Sequence, residues 1–349
     1  MANLTSTRET FQKLIIPLVF VIIAAILISL IFFRYKSKTV HIPAQSPPPS
    51  PPVIKQDPKQ KQPLTLDFSK LSKKEFPKTL PVYTLEKYQD LSSDNAQQVA
   101  NSLSFTDPPS LVDKNTSDGI QYTWQKGETN LTLSRSSLRY KTPMVDKNTI
   151  LLTENQLQDI AKEFIARIPT AQKDLEIDSQ KTTYLKKGQA LPTTTNSFEN
   201  ADLVSLYFQK SIEGFHLLPS DPSSPTAFLT IQENGNIITL NLRLYKQFTK
   251  GNSYKLRSLD DAVLLLKQGK GKVAQTLLLD ENGKAIENFR TQPQDIKNLT
   301  VTAVDITYFL PEENTTIQPI YVFIGEFTKE NQKGRTVIYL PAIDNAIKP

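Results

Sequence analysis

The sequence predicts an α+β fold: an N-terminal transmembrane helix, a proline-rich stalk, and then repeated units in which a helix packs on an antiparallel sheet. Three observations predict it. Residues 14–33 are twenty positions without a charge. Residues 43–63 hold eight prolines among Gln, Ser and Lys. Beyond them, three helix patterns with capping signals are each followed by alternating strand patterns.

Residues 1–13 form a short polar tail, too small to fold. Twenty helical residues at 1.5 Å each span about 30 Å, the thickness of a bilayer's hydrocarbon core, so residues 14–33 read as a membrane span. Pro17 is tolerated in the first turn, where the N–H has no intrahelical partner. The apolar run passes into Phe32, Phe33, Arg34, Tyr35 and Lys36 with no small-residue cleavage site, the pattern of an uncleaved anchor. Arg8 and Lys13 precede the span while Arg34, Lys36 and Lys38 follow it, a bias that alone would keep the C-terminal side in the cytoplasm. Large domains, however, translocate largely regardless of charge, and a stalk suits a unit held away from a membrane. The expectation is therefore a cytoplasmic tail and an extracytoplasmic domain over 64–349.

The stalk is assigned to residues 34–63. Its proline-rich part, 43–63, favours polyproline II, and 21 such residues reach roughly 65 Å at 3.1 Å each. A PxxP ligand is the alternative reading of the same stretch. Charge is concentrated here too: residues 1–38 carry a net +4 and residues 39–63 a further +2, which accounts for the +6 of the whole chain. Cations in that position meet anionic lipid headgroups, and a bilayer is the first partner expected. The remaining 286 residues are close to neutral and lack the basic face that nucleic acid requires. No cysteine is present, which excludes a disulfide framework and a lipidated cysteine.

The domain divides into three expected modules, 64–148, 149–250 and 251–349. The first opens with Leu91-Ser-Ser-Asp-Asn95 before Ala96, Val99, Ala100 and Leu103 at helical spacing. The second opens with Thr153-Glu-Asn-Gln156, a capping box, before a stripe of Leu157, Ile160, Ala161, Phe164 and Ile168. The third has Ser258-Leu-Asp-Asp261 before Ala262, Val263, Leu265 and Leu266, with Gly269 as the stop. Strand patterns follow each: 119–124, 129–134 and 137–140; then 203–209, 227–231 and 238–244; then 301–310, 320–327 and 336–340.

The second helix, Leu203-Val-Ser-Leu-Tyr-Phe-Gln-Lys-Ser-Ile-Glu-Gly214 and the hairpin Leu229 to Ile237 are similar to the PepSY-type module. Ser258 to Lys270, Ile306-Thr-Tyr-Phe309 and Pro319-Ile-Tyr-Val-Phe-Ile-Gly325 resemble the last module of YycH/YycI-type proteins. Those are bacterial single-pass proteins whose extracytoplasmic modules regulate a cell-wall-sensing histidine kinase by contact. The resemblance covers residues 150–345 and the anchor arrangement; a proline-rich stalk is not a feature of that family. It implies a membrane or cell-envelope protein as partner.

The chemical inventory is thin. His41 lies in the stalk, so His216 in Gly214-Phe-His-Leu-Leu218 is the one candidate imidazole base, and no Gly-x-Ser-x-Gly elbow accompanies it. No His pair or Cys suits a transition metal, and Asp280-Glu-Asn-Gly283 reads as a hairpin turn, lacking the ligand spacing of a calcium loop. Asp260-Asp261 belongs to a helix start and Glu312-Glu313 to a loop, which disfavours a glycosidase pair. Gly269-Lys-Gly-Lys272 lacks Walker spacing. Neither metal nor cofactor is expected. Two sets of aromatics remain as a candidate interaction surface, Tyr122, Trp124 and Tyr140 on one group of strands and Tyr308, Tyr321 and Tyr339 on another, with core packing as the alternative. The expected function is a non-enzymatic, single-pass membrane protein whose extracytoplasmic domain regulates a sensor kinase or envelope enzyme. The alternatives are a module binding wall polymer or a secreted peptidase and, third, a hydrolase using His216. Oligomeric state is left open by the sequence.

Overall fold

The computed structural model describes residues 48–52, 65–72, 74–86, 91–145, 152–171, 174–179, 181–188, 192–222, 224–280, 283, 296–311 and 315–344. Strands dominate them. In chain order they are β1 (Thr65–Asp67), β2 (Thr79–Glu86), β3 (Leu111–Thr116), β4 (Gly119–Lys126), β5 (Thr129–Leu133), β6 (Ser137–Lys141), β7 (Leu175–Ile177), β8 (Thr183–Lys186) and β9 (Thr193–Thr195). Then come β10 (Leu203–Ile212), β11 (Phe215–Pro219), β12 (Ala227–Gln232), β13 (Ile237–Arg243), β14 (Gln247–Lys255), β15 (Lys272–Leu278), β16 (Asn298–Leu310), β17 (Thr316–Lys329) and β18 (Gln332–Pro341). The α-helices among the described residues are α1 (Ser93–Ser102), α2 (Glu154–Ala166) and α3 (Leu259–Lys267).

A first sheet runs β3-β4-β5-β6-β13-β12-β10, with β7 and β8 along the far edge of β10 and β9 beyond β8, antiparallel throughout. Alternation along these strands turns Leu131, Leu133, Leu138, Leu206, Leu229, Leu240 and Leu242 inward. The stripes of α1 (Ala96, Val99, Ala100) and α2 (Leu157, Ala161, Ile165) join the same core.

The second sheet is mixed. β16, β17, β18 and β15 pair antiparallel in that order, while β1 and β11 lie end to end, both parallel, on the outer edge of β16. Its core holds Leu299, Val301, Ile306, Phe323, Ile338 and Leu340 with Ala262 and Leu266 of α3. The β10–β11 hairpin joins the two sheets. Its two-residue turn puts Glu213 at φ 50° and Gly214 at φ 82°, the left-handed pair that such a turn demands. The β2–β14 ribbon adds to the start of β17 through Thr84 and Tyr83.

This architecture overturns the expected α+β series of helix-on-antiparallel-sheet, PepSY-like modules. Just over half of the described residues are strand, the sheet system is mixed, and its strands ignore the expected boundaries. β6, from 64–148, pairs along its length with β13, from 149–250, so those two stretches share one sheet and one core. β2, from 64–148, pairs with β14 and β17 instead of with its own sequence neighbours. Residues 48–349 form one compact unit.

The membrane, single-pass and signal-anchor terms also find no support: among the described residues no helix is long and apolar enough to cross a membrane. The segment 14–33 on which that reading rests lies outside the described residues, as do the tail 1–13, His41 and Glu312-Glu313. Of the stalk, only 48–52 is described. There Pro52 is buried and the Ser50 carbonyl accepts a hydrogen bond from Gln318 at 2.7 Å.

Candidate functional site

A concavity lies where β14 runs into α3. Lys255, Leu256 and Arg257 form one wall, Ser258 and Asp261 of the helix start a second, and Lys74, Phe76 and Lys78 a third; Tyr321 and Asp344 complete a cleft of about 350 Å³. Its walls are fixed by main-chain pairing. The Arg257 N–H donates to Ala342 at 2.9 Å, the Asp344 N–H donates to Lys255 at 3.0 Å, and Leu256 bridges Ile343.

Arg257 is held from both ends. Its Nε donates to the Pro341 carbonyl at 2.9 Å and its Nη2 to the Ile343 carbonyl at 2.7 Å, while its own carbonyl accepts from Tyr321 Oη at 2.7 Å. Burial pushes the guanidinium pKa down, an effect that Asp344, Tyr321 and Asp261 oppose. An arginine starts high enough to stay cationic regardless. Burial likewise raises the Tyr321 phenol, with Arg257 acting in the opposite direction. Phe76 meets Tyr321 edge to face at 5.5 Å, and Lys74 Nζ sits 5.5 Å from the Phe76 ring centroid while pairing with Asp305 at 2.9 Å.

Four cations thus line the cleft, Lys74, Lys78, Lys255 and Arg257, against the carboxylates of Asp261 and Asp344. The N-terminus of α3 adds its partial positive charge on the same side. Ser258 is already engaged as the helix cap: its Oγ accepts from the Asp261 N–H at 3.1 Å and donates to the Asp261 carboxylate at 2.6 Å. The arrangement attracts an anionic group over a partly aromatic floor. Among the described residues it offers no base aligned on a nucleophile.

No family model and no curated protein matches the chain. A solved structure of an uncharacterized protein from Eubacterium rectale ATCC 33656 superposes with a TM-score of 0.46 and 10% identity, over 81% of this chain and 88% of that one. That degree of likeness assigns no function.

The six aromatics read from the sequence as an interaction surface do not form one. Tyr122, Trp124, Tyr308, Tyr321 and Tyr339 are all buried and Tyr140 is half-buried between Phe105 and Phe164. Their polar tips turn inward onto other segments: Tyr122 Oη donates to the Leu91 carbonyl, Trp124 Nε1 to Gln97 Oε1, Tyr308 Oη to the Pro81 carbonyl and Tyr339 Oη to the Pro219 carbonyl. They act as cross-bolts: Tyr308 and Tyr339 tie strands distant in sequence, while Tyr122 and Trp124 tie β4 to Leu91, just before the α1 cap, and to α1 itself. Tyr321 alone of the six lines the cleft.

His216 sits exposed on β11, with Nδ1 3.2 Å from Ser211 Oγ. The neighbouring acid, Glu176, meets the serine at 3.4 Å and not the imidazole, so the order acid, serine, histidine is wrong for a triad. Asp260-Asp261 starts α3, and the Gly283 N–H closes a turn onto the Asp280 carbonyl at 3.0 Å, with residues 281 and 282 outside the described set. Among the described residues no three His, Asp or Glu side chains come together in a metal-binding group. Nothing local marks Lys78, Lys255 and Arg257 together as cleft residues. The local signal was the Lys255-Leu-Arg257 run directly before a helix cap, but its partners at 74–78 and 341–344 are brought in only by folding.

Proposed function

We propose that this protein is a non-enzymatic regulator that binds a protein partner, a sensor kinase or a cell-envelope enzyme, by receiving an acidic segment of it in the Arg257 cleft. The regulatory half of the proposal comes from the resemblance of residues 150–345 to YycH/YycI-type proteins. One observation supports the binding half: Lys78, Lys255 and Arg257, with Lys74 paired to Asp305 beside them, line a concavity with an aromatic floor at the start of α3, against the carboxylates of Asp261 and Asp344, and hydrogen bonds fix Arg257 and Tyr321 in place. Electrostatic complementarity of this kind sets encounter rate and specificity, and partner binding then acts as a coupling free energy between the two proteins. An extracytoplasmic position for 65–344 belongs to the same proposal. A cysteine placed at Lys114, exposed on β3, would be the only one in the chain, and its labelling in intact cells by an impermeant maleimide checks that position.

The binding claim is tested by a photo-crosslinking amino acid at Lys78 in living cells. One discrete protein adduct is expected, lost or reduced at least ten-fold when Lys255→Glu is added, with a salt-dependent yield. If no adduct forms, or if charge reversal leaves it unchanged, the cleft is not the docking site.

A further inference from the structure

The second sheet has two faces. One carries the core with α3; the other is buried at one end, where Phe309, Ile320, Val322 and Tyr339 pack together with Leu218 against them. Further along that face Ala303 and Asp305 are exposed. Into the buried end is set an amide. Gln318 stands directly across from Phe309 in the β16–β17 register, so it shares that face, and it is 3% exposed.

A buried amide surrounded by apolar side chains requires a partner. Gln318 Nε2 donates to the main-chain carbonyl of Ser50 at 2.7 Å, across 268 residues of sequence, and among the described residues this is the only hydrogen bond of its side chain. Ser50 is the centre of Pro48-Pro-Ser-Pro-Pro52. Proline has no N–H to donate, and an extended proline-rich chain makes no internal hydrogen bonds, so its carbonyls wait for an outside donor. Gln318 supplies that donor, and Pro52 of the same tract is buried. The Ser50 side chain itself is exposed. What the amide reads is the main chain of the tract; proline-rich segments are generally recognised in aromatic-lined grooves. Tyr339 fixes the face itself, since its hydroxyl donates to the Pro219 carbonyl at 3.2 Å and ties the end of β11 to it.

We propose that this end of the second sheet is a binding site for an extended proline-rich main chain, and that its occupant is the chain's own Pro48–Pro52 tract. The tract is then a strap fastened to the body and not a free spacer. The Gln318 amide is the group that reads it. The site is separate from the Arg257 cleft and does not depend on the function proposed for that cleft.

The 349-residue chain has no cysteine, so Ser50→Cys accepts a single nitroxide label at an exposed position. The label is expected to show a slow, surface-held component by electron paramagnetic resonance. That component should be lost in Gln318→Ala and also in the double variant Pro51→Gly with Pro52→Gly. The second variant leaves the sheet untouched, and its circular dichroism melt checks that the body stays folded. A fluorescent peptide with the sequence of Pro47–Val53 should bind the emptied site of the double glycine variant at least ten-fold more tightly than the native chain. A fully mobile label in the native chain, a slow component that survives in both variants, or peptide binding that is absent or equal in the two proteins would each overturn the proposal.

Discussion

Asp118 shows how a single side chain fastens two turns. It sits between β3 and β4, and its carboxylate accepts from the hydroxyls of Ser134 and Ser136 and from the Ser136 N–H across the β5–β6 turn, with Arg135 Nε at 3.4 Å. Partial burial by itself raises its pKa, but these donors outweigh it and the net shift is downward. A depressed folded-state pKa contributes stability that is fully present above the unfolded value of 3.8 and drains away as the pH falls through the lower, folded value. Asp118→Ala is therefore expected to cost about 1 kcal/mol at neutral pH, discounted for the partial exposure of the group, and less at an acid pH, as the native carboxylate takes up its proton. Paired urea melts at the two pH values check the sign. Gly334 is constrained by a neighbour: a Cβ there would lie 2.1 Å from Phe327 Cζ, because the phenylalanine, directly opposite in the register, lies over the glycine. Gly334→Ala is expected to destabilise by about 1–3 kcal/mol, measured by thermal unfolding, and Gly334→Ala combined with Phe327→Leu should cost less than the sum of the single changes.

At the scale of the element, the helices are decided locally and the strands are not. α2 starts at a complete capping box, in which the Thr153 hydroxyl accepts from the Gln156 N–H while the Gln156 side chain accepts from the Thr153 N–H at 2.9 Å. Its buried Leu157 and Ala161 belong to the stripe written in the sequence, Ile160 and Phe164 of that stripe pack partly buried against the same core, and Ile165, outside the stripe, is buried as well. Thr153→Ala is expected to cost about 1 kcal/mol, with Thr153→Ser restoring most of it; equal melting of Ala and Ser variants would deny the cap its part. Strands with strict alternation, such as β13, were legible for the same reason. β2 was not, since Pro81 sits mid-strand; it is accommodated there because β2 meets β14 across a register shift at Lys250/Ser253 and uses the Pro81 carbonyl to receive Tyr308. β14 was hidden by its exposed, polar composition, and β11 by its Gly-Phe-His context, which reads as a turn.

For the molecule as a whole, the consequence of the topology is that none of the three expected modules has a core of its own. Leu131, Leu133 and Leu138 from 64–148 fill the same core as Leu206, Leu229 and Leu240 from 149–250, and Leu80 and Val82 serve the core of 251–349. Fragment 149–250 alone would expose the β6-facing edge of β13 and half of its apolar face. It is expected to be unfolded by circular dichroism and amide NMR dispersion, whereas a chain beginning at residue 48 should fold. A cooperatively folded 149–250 fragment would refute the shared-core description.

The sequence alone determined what depends on neighbours close along the chain: the three helix starts, the alternating strands, the absence of disulfide chemistry and the near-neutral domain beyond a basic N-terminal stretch. Hydrogen bonds at a cap, side-chain period and charge are local quantities, so a linear reading captures them. Only the tertiary structure decided which strands pair, and with that the rest. Pairing set β6 beside β13, turned the aromatics inward as bolts and left Tyr321, of the six, lining the cleft. It brought residues 74–78 and 341–344 to Arg257, and it carried Gln318 to the carbonyl of Ser50. Strand order is set by the burial that each long-range pairing achieves, and no periodicity within a strand encodes its distant partner.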